Sequence, residues 1–170
     1  MTLQRCMNYL DANRIRYAHT THFPANTAVE VAAAEHMPPH RMAKTVVFGS
    51  NKGHVNEGYL MVVVPADAYV DVEQVRTAIG VPSLRKLEED ELSLLFPNAE
   101  LGAMPPLGTL FGLPVYLDRE VANQEFIAFN AGTHRDLIHM RTADFEYLVR
   151  PIIGDFCQSK YKLSSYLVGA

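Results

Sequence analysis

Tyr59-Leu60-Met61-Val62-Val63-Val64 is apolar at every position from Leu60 onward. A strand with one face in water alternates apolar and polar residues. A run apolar at both parities has to bury both faces, and the three valines favour a strand at this length. The stretch therefore reads as a central strand covered by helices on at least one side. Just upstream, Thr45-Val46-Val47-Phe48 is a second β-branched, apolar run, and Gly49-Ser50-Asn51-Lys52-Gly53 between the two has the composition of a hairpin turn. Lys44 stands at the mouth of that second strand, in Ala43-Lys44-Thr45. Taken alone, a charge there marks only an exposed strand end.

Helix signals flank this pair. Leu3, Met7, Leu10 and Ile15 form a helical stripe after Thr2, a candidate N-cap, with the helix ending near Asn13. Thr27-Ala28-Val29-Glu30 reads as a capping box opening an alanine-rich helix that Pro38-Pro39 stops. Asp71 caps a helix to Ile79, with Gln74 placed to return the bond and Gly80 ending it. Glu88 to Asp90 open another that runs to Phe96, where Pro97-Asn98 breaks it. Pro114 to Asp118, Glu125 to Asn130 and Asp136 to Arg141 read as strands, and Thr142 as the cap of a short helix to Leu148. Strands and helices alternate without a strict βαβ rhythm, which gives an α/β, mixed α+β, single domain on a curved mixed sheet. Its expected extent is residues 1–155, with 156–170 as a C-terminal tail or short appended helix.

At 170 residues the chain supports one sizeable core. Hydrophobic residues at 48% and charged residues at 20% match an ordinary globular protein. No apolar run approaches the ~20 residues of a membrane span, and the start is not a signal h-region, so the expected location is cytoplasmic with no membrane partner. Cys6 and Cys157 lack metal or redox spacing and read as thiols outside any disulfide. The net charge of −4 argues against a surface that coats nucleic acid broadly, while Arg14, Arg16, Arg41, Lys44 and Lys52 leave room for a local basic patch. His19-Thr20-Thr21-His22 and His36-Met37-Pro38-Pro39-His40 do not supply a metal set: the first lacks a helix and a third ligand, and prolines deny the second a shared helical face. There is no GxSxG elbow, Walker loop or dinucleotide fingerprint.

Two segments join Lys44 as unusual. Gly102-Ala103-Met104-Pro105-Pro106-Leu107-Gly108 is a loop that neither helix nor strand chemistry selects, and Asn130-Ala131-Gly132-Thr133-His134 ends a strand in a small-residue turn. A strand lysine, a glycine-to-proline loop and a late small-Ala-Gly-Thr turn, in this order, resemble the YbaK/EbsC family, relatives of the editing domain inserted in bacterial prolyl-tRNA synthetases. The likeness spans roughly Tyr17 to Pro151. It implies a partly closed, barrel-like sheet flanked by helices. It also implies an aminoacyl-tRNA deacylase that acts in trans, meeting mischarged tRNA at its 3′ acceptor end, with a synthetase as a further candidate partner and no cofactor. Thr45 stands where relatives that clear alanine from proline tRNA usually carry asparagine, so the resemblance does not name the amino acid.

An aminoacyl ester is already reactive, and its hydrolysis needs an oriented water, stabilisation of the oxyanion and a grip on the terminal adenosine. Glycines let the loop backbone approach a substrate and prolines stiffen it, so the N–H groups of Gly102, Ala103 and Met104 are the candidate oxyanion donors. Lys44 suits a clamp on phosphate or carbonyl. Thr45, Pro105, Pro106, Gly108, Asn130, Ala131, Gly132, Thr133 and His134 are the candidate substrate-binding residues, with His134 also a candidate general base. Two other classes stay open: a non-catalytic module of the same fold that binds aminoacyl-tRNA, a synthetase or an adenine nucleotide, and a small-ester hydrolase unrelated to tRNA.

Overall fold

The structure is a computed structural model and describes residues 1–22, 27–50 and 58–158. Its helices are α1 (Thr2–Ala12), α2 (Ala28–Ala34), α3 (Val72–Ile79), α4 (Glu89–Leu95), α5 (Gly108–Phe111), α6 (Arg119–Ala122) and α7 (Thr142–Val149). Its strands are β1 (Tyr17–Thr21), β2 (Ala43–Ser50), β3 (Gly58–Pro65), β4 (Tyr69–Val70), β5 (Leu84–Lys86), β6 (Val115–Asp118), β7 (Phe126–Asn130), β8 (Asp136–Arg141), β9 (Ile152–Gly154) and β10 (Cys157–Gln158). A mixed five-stranded sheet has the order β5-β2-β3-β6-β9, an antiparallel sheet the order β1-β8-β7, and β10 pairs with β4.

The all-apolar run is the middle strand of the larger sheet, as its burial pattern requires. Met61 and Val63 join a core with Val47, Leu117 and Ile127 on one face, while Leu60, Val62 and Val64 pack with Phe48, Val75 and Phe156 on the other. Each such side chain taken out of water stabilises the fold by about 1.5–3 kcal/mol. A parallel bridge between Met42 and Ala128 brings the entrance of β2 against β7 and joins the two larger sheets at one seam. There Met42, Ala66, Ala128 and Leu137 form a third cluster with Ala32 of α2. The result is a mixed α/β domain whose sheets curve together without closing into a barrel.

Local chemistry explains most element ends. Glu30 N–H donates to Thr27 Oγ1 and Thr27 N–H to a Glu30 carboxylate oxygen, the expected capping box. That helix stops at Ala34, before the prolines, because His36 turns left-handed at φ +53° and Met37 N–H reaches back to the Ala32 carbonyl. Asp71 caps α3 through Gln74 N–H and Gly80 ends it at φ +75°. The return bond expected from Gln74 is replaced by a long-range one, Asp71 N–H donating to the Phe156 carbonyl at 2.8 Å, and Gln158 Nε2 donates to the Asp71 carboxylate. The expected hairpin turn is shorter on its first side: Gly49 and Ser50 belong to β2 and pair with Tyr59 and Gly58, and 51–53 fall outside the described residues.

Two expected caps are not caps. Thr2 is the first residue inside α1, and its hydroxyl donates to the Pro97 carbonyl. Thr142 likewise lies inside α7 after Arg141, its hydroxyl making no cap bond. Two short strands, β9 and β10, follow Pro151. Phe156 and Cys157 pack in the second core and Cys157 and Gln158 pair with β4, while 159–170 lie outside the described residues. Cys6 is buried, and that burial pushes its thiol up to about 12, despite Arg5 nearby, leaving it protonated and unreactive. No helix among the described residues is long and apolar enough to cross a membrane.

Candidate active site

The glycine-to-proline loop and the small-residue turn meet. Gly102 and Gly132 both adopt left-handed backbone, at φ +82° and +96°. Glu100 N–H donates to the Gly132 carbonyl at 2.8 Å and Gly132 N–H to the Ala103 carbonyl at 2.9 Å, lacing the two segments together. A Cβ on Gly132 would lie 2.6 Å from Cβ of Thr2, so the start of α1 closes one side of the turn and admits only glycine. His134 locks the other side: its backbone N–H donates to the Glu100 carboxylate at 2.8 Å, and its ring Nε2 to the Leu101 carbonyl at 2.7 Å. A carbonyl oxygen only accepts, so Nε2 holds the proton and is not available as a base. Ala103 N–H is engaged with the Glu100 carbonyl inside the turn. Among the described residues, no backbone carbonyl accepts from Gly102 or Met104 N–H.

Thr133 and Asp136 build the rest of the turn. Thr133 Oγ1 donates to Asp136 Oδ2 at 2.6 Å and accepts from the N–H groups of Arg135 and Asp136. His19 Nε2 approaches Asp136 Oδ1 at 2.7 Å from β1. Burial, the largest influence on Asp136, would raise its carboxyl, but the bonds from Thr133, His19 and Thr21 together outweigh it and hold the group below the usual carboxylate range.

Lys44 and Asn130 each follow the seam by two residues. Two residues on from the Met42–Ala128 bridge, along two parallel strands, the chain reaches Lys44 on one side and Asn130 on the other. With a period of two, Lys44 shares the side of β2 that carries Met42 and Phe48, and Asn130 the side of β7 that carries Ala128. Asn130 is only 7% exposed, and its Oδ1 has no hydrogen-bond partner among the described residues. A buried amide oxygen left so is costly unless something else supplies a donor. Lys44 is half-buried, with Nζ 5.2 Å from the ring centre of Tyr69. On the same side of the smaller sheet, His139 Nε2 meets Thr20 Oγ1 at 3.0 Å, and burial lowers its pKa against the opposing pull of Glu35.

The other expected residues are placed differently. Thr45 alternates with Lys44 and projects to the opposite side of β2. Met104 and Ala131 belong to the first core, anchoring their loops from beneath. Pro105, Pro106 and Gly108 are buried. A side chain on Gly108 would run into the Leu113 carbonyl and Val115, so this glycine serves close packing at the start of α5. Asp118, Glu120 and Cys157 bring three ligand-type atoms within 4.8 Å of one another. Both Asp118 oxygens already accept backbone N–H groups, from Glu120 and Phe156, which makes that carboxylate a structural tie. Sequence reading missed Glu100, Asp136, Thr2 and Tyr69. Only the Thr133-x-x-Asp136 spacing carried a local signal, that of a side-chain-closed turn. The others act across the fold.

Solved structures share this architecture. A candidate trans-editing enzyme for prolyl-tRNA synthetase is 23% identical, with 93% of this chain and 98% of that one covered and a TM-score of 0.77. The hypothetical protein APE2540 is 18% identical over 91% and 99%, at a TM-score of 0.79. A candidate signal transduction protein from Marinobacter aquaeolei VT8 is 18% identical at a TM-score of 0.73, with 94% of this chain matching 32% of that one. At these identities the likeness establishes the fold. The family is established by sequence: residues 22–148, which contain the lysine strand, the glycine-to-proline loop and the small-residue turn, match the aminoacyl-tRNA editing domain, and the chain belongs to that family, the YbaK family.

Proposed function

We propose that this protein is a deacylase that acts in trans on mischarged tRNA, hydrolysing the ester of a small, wrongly attached amino acid. The observation that carries the reading is the buried, unpartnered Oδ1 of Asn130, in step with Lys44 across the seam and at the end of the strand that enters the locked turn. An acceptor in that state suits a ligand bearing N–H or O–H donors, and an aminoacyl ester brings both an α-ammonium and a ribose hydroxyl.

Water attacks the ester carbonyl carbon, and the oxyanion that forms is met by the Lys44 ammonium and the N–H groups of Gly102 and Met104. The bond from carbonyl carbon to ribose oxygen then breaks, the ribose oxygen takes a proton, and the free amino acid leaves. His134 holds the loop in place, through Leu101 and Glu100, and abstracts no proton at Nε2. The neighbouring ribose hydroxyl of the substrate is the group left to orient the water. Asn130 fixes the substrate's donors, and the hold of Gly132 on Ala103 keeps the loop in register with it.

The test is a panel of mischarged tRNAs incubated with a trace of protein. The reading expects many equivalents of amino acid released per protein from at least one mischarged species, with correctly charged tRNA spared and no loss on treatment with chelator. Because the chain is acidic overall, at a net charge of −4, and grips tRNA only through a local basic patch, that binding should be weak and salt-sensitive, and salt should raise KM more than it lowers kcat. Stoichiometric protection of the ester, or tight binding with no release across the panel, would make the protein a carrier module instead.

A further inference from the structure

Tyr69 is 67% exposed, an aromatic ring left largely in water on a protein that buries most of its large apolar side chains. It is not on a loose loop: its backbone is held in β4 against Gln158 of β10, and Asp71 two residues on is tied to Phe156 and Gln158. One part of the ring meets the Lys44 ammonium at 5.2 Å from the ring centre. A fixed, exposed ring beside a cation is the arrangement with which proteins stack nucleobases.

We infer that Tyr69 is a stacking platform for the adenine of the terminal nucleotide, a positioning residue for the reaction proposed above. The inference rests on that reading, since it places the ester carbonyl at Lys44. The ester oxygen and the base belong to the same ribose, a few bonds apart. A substrate whose carbonyl meets the Lys44 ammonium therefore brings its base close to whatever that ammonium touches, and it touches Tyr69. The adenine could come from the tRNA end or from a free nucleotide, and the ring recognises the same chemistry in both.

The test compares Tyr69→Phe and Tyr69→Leu with the unaltered protein in three assays. The first is turnover of mischarged tRNA, where Tyr69→Leu should raise KM about tenfold while kcat stays within about twofold, and Tyr69→Phe should behave as the parent. The second is turnover of an ethyl ester of the same amino acid, which has no base and should not distinguish the three proteins. The third is calorimetric binding of 3′-aminoacylamino-3′-deoxyadenosine, whose amide is not cleaved, against adenosine 5′-monophosphate. The analogue should lose about tenfold in affinity with leucine only, and bind more tightly than the monophosphate. Equal KM values for tyrosine and leucine, or a phenylalanine variant as weak as leucine, would overturn the inference. So would a fall in ethyl-ester turnover matching that on tRNA, because the ring would then act only by holding Lys44. Tighter binding of the monophosphate than of the analogue would reassign the platform to free nucleotide and equally overturn it. If no mischarged tRNA is cleaved by the parent, the functional reading fails, and the calorimetric arm still decides whether Tyr69 holds adenine.

Discussion

The paired turns around Gly102 and Gly132 and the seam between β2 and β7 treat their polar groups in opposite ways. In the turns nearly every group has a partner: Glu100 holds His134 N–H, His134 holds the Leu101 carbonyl, Thr133 closes on Asp136, and Gly132 exchanges backbone bonds with Glu100 and Ala103. At the seam, the Asn130 amide oxygen is buried with none among the described residues, and an ammonium lies against a solvent-exposed ring. Satisfied groups hold a shape; an unsatisfied buried one leaves an acceptor for another donor. In the proposed reaction the turns are thus chiefly the frame, lending the N–H groups of Gly102 and Met104, and the seam supplies Lys44 and Asn130.

Lys44→Ala is the largest expected blow to that distinction. Single-turnover deacylation should fall about 10²–10³-fold, the usual effect of removing one oxyanion-stabilising group, while the thermal midpoint stays near that of the parent. Lys44→Arg should restore it only in part, since a planar guanidinium does not reproduce a point contact. A folded alanine variant with normal turnover would return Lys44 to the role of a strand-end charge.

Substituting the two left-handed glycines probes the frame. Gly132→Ala should lose about 3 kcal/mol in urea unfolding, because the new methyl is both strained and set against Thr2. Gly102→Ala should lose only about 1 kcal/mol, since its methyl meets nothing closer than the His134 ring at 3.4 Å. Equal losses would show that the Thr2 contact yields and that the turn is not closed from that side.

Asn130→Leu separates stability from activity at the seam. Removing a buried acceptor that has no partner should leave stability within about 1 kcal/mol of the parent, or raise it, while turnover falls at least about tenfold. A loss of several kcal/mol would mean that the amide already has structural work within the protein.

The smallest effects are those of pH. The Asp136 carboxyl is held below its usual value, so its contribution is whole above the ordinary carboxylate pKa of ~4 and is lost as pH falls through the lower folded value; Asp136→Asn should remove that acid dependence. Burial lowers the pKa of His139, so its neutral form is favoured in the fold. Stability should then decline as pH falls from about 6.5 toward the folded value, and His139→Gln should flatten the decline. Urea unfolding at pH 7.5, 6 and 5 measures the His139 effect and unfolding at pH 5, 4 and 3 that of Asp136, and a rise in stability as pH falls from 7.5 to 6 that depends on His139 would contradict its burial.

Where a signal is local, the sequence carried it well. The limits of β8 are those expected, and the capping box at Thr27 and the stop at Gly80 act over three or four residues through the groups named for them. β1 was missed because Tyr17-Ala18-His19-Thr20-Thr21 has no apolar alternation, and it becomes a strand only by pairing with β8. β9 and β10 were missed for the same reason, each too short to have a period. Of the candidate site residues, Lys44 was legible as a charge at a strand mouth and Asn130 as the polar end of a strand that enters a small-residue turn. The placement of Thr45 on the far side of β2 was equally implicit in the pleat.

What the sequence determined by itself was the inventory: a strand that must be central because both its faces are apolar, helices with their caps, two glycine-bearing turns and a lysine at a strand mouth. These follow from interactions between residues a few positions apart, which chain geometry makes the same in any fold. Only the tertiary structure decided which groups are already in use. That Ala103 N–H is engaged by Glu100, that His134 serves Leu101, that Asn130 Oδ1 is buried without a partner among the described residues and that Lys44 rests on Tyr69 depend on which carbonyls, rings and donors the packing brings within reach. Hydrogen bonds and ring contacts are decided over a few ångströms in space, and separation along the chain does not encode them.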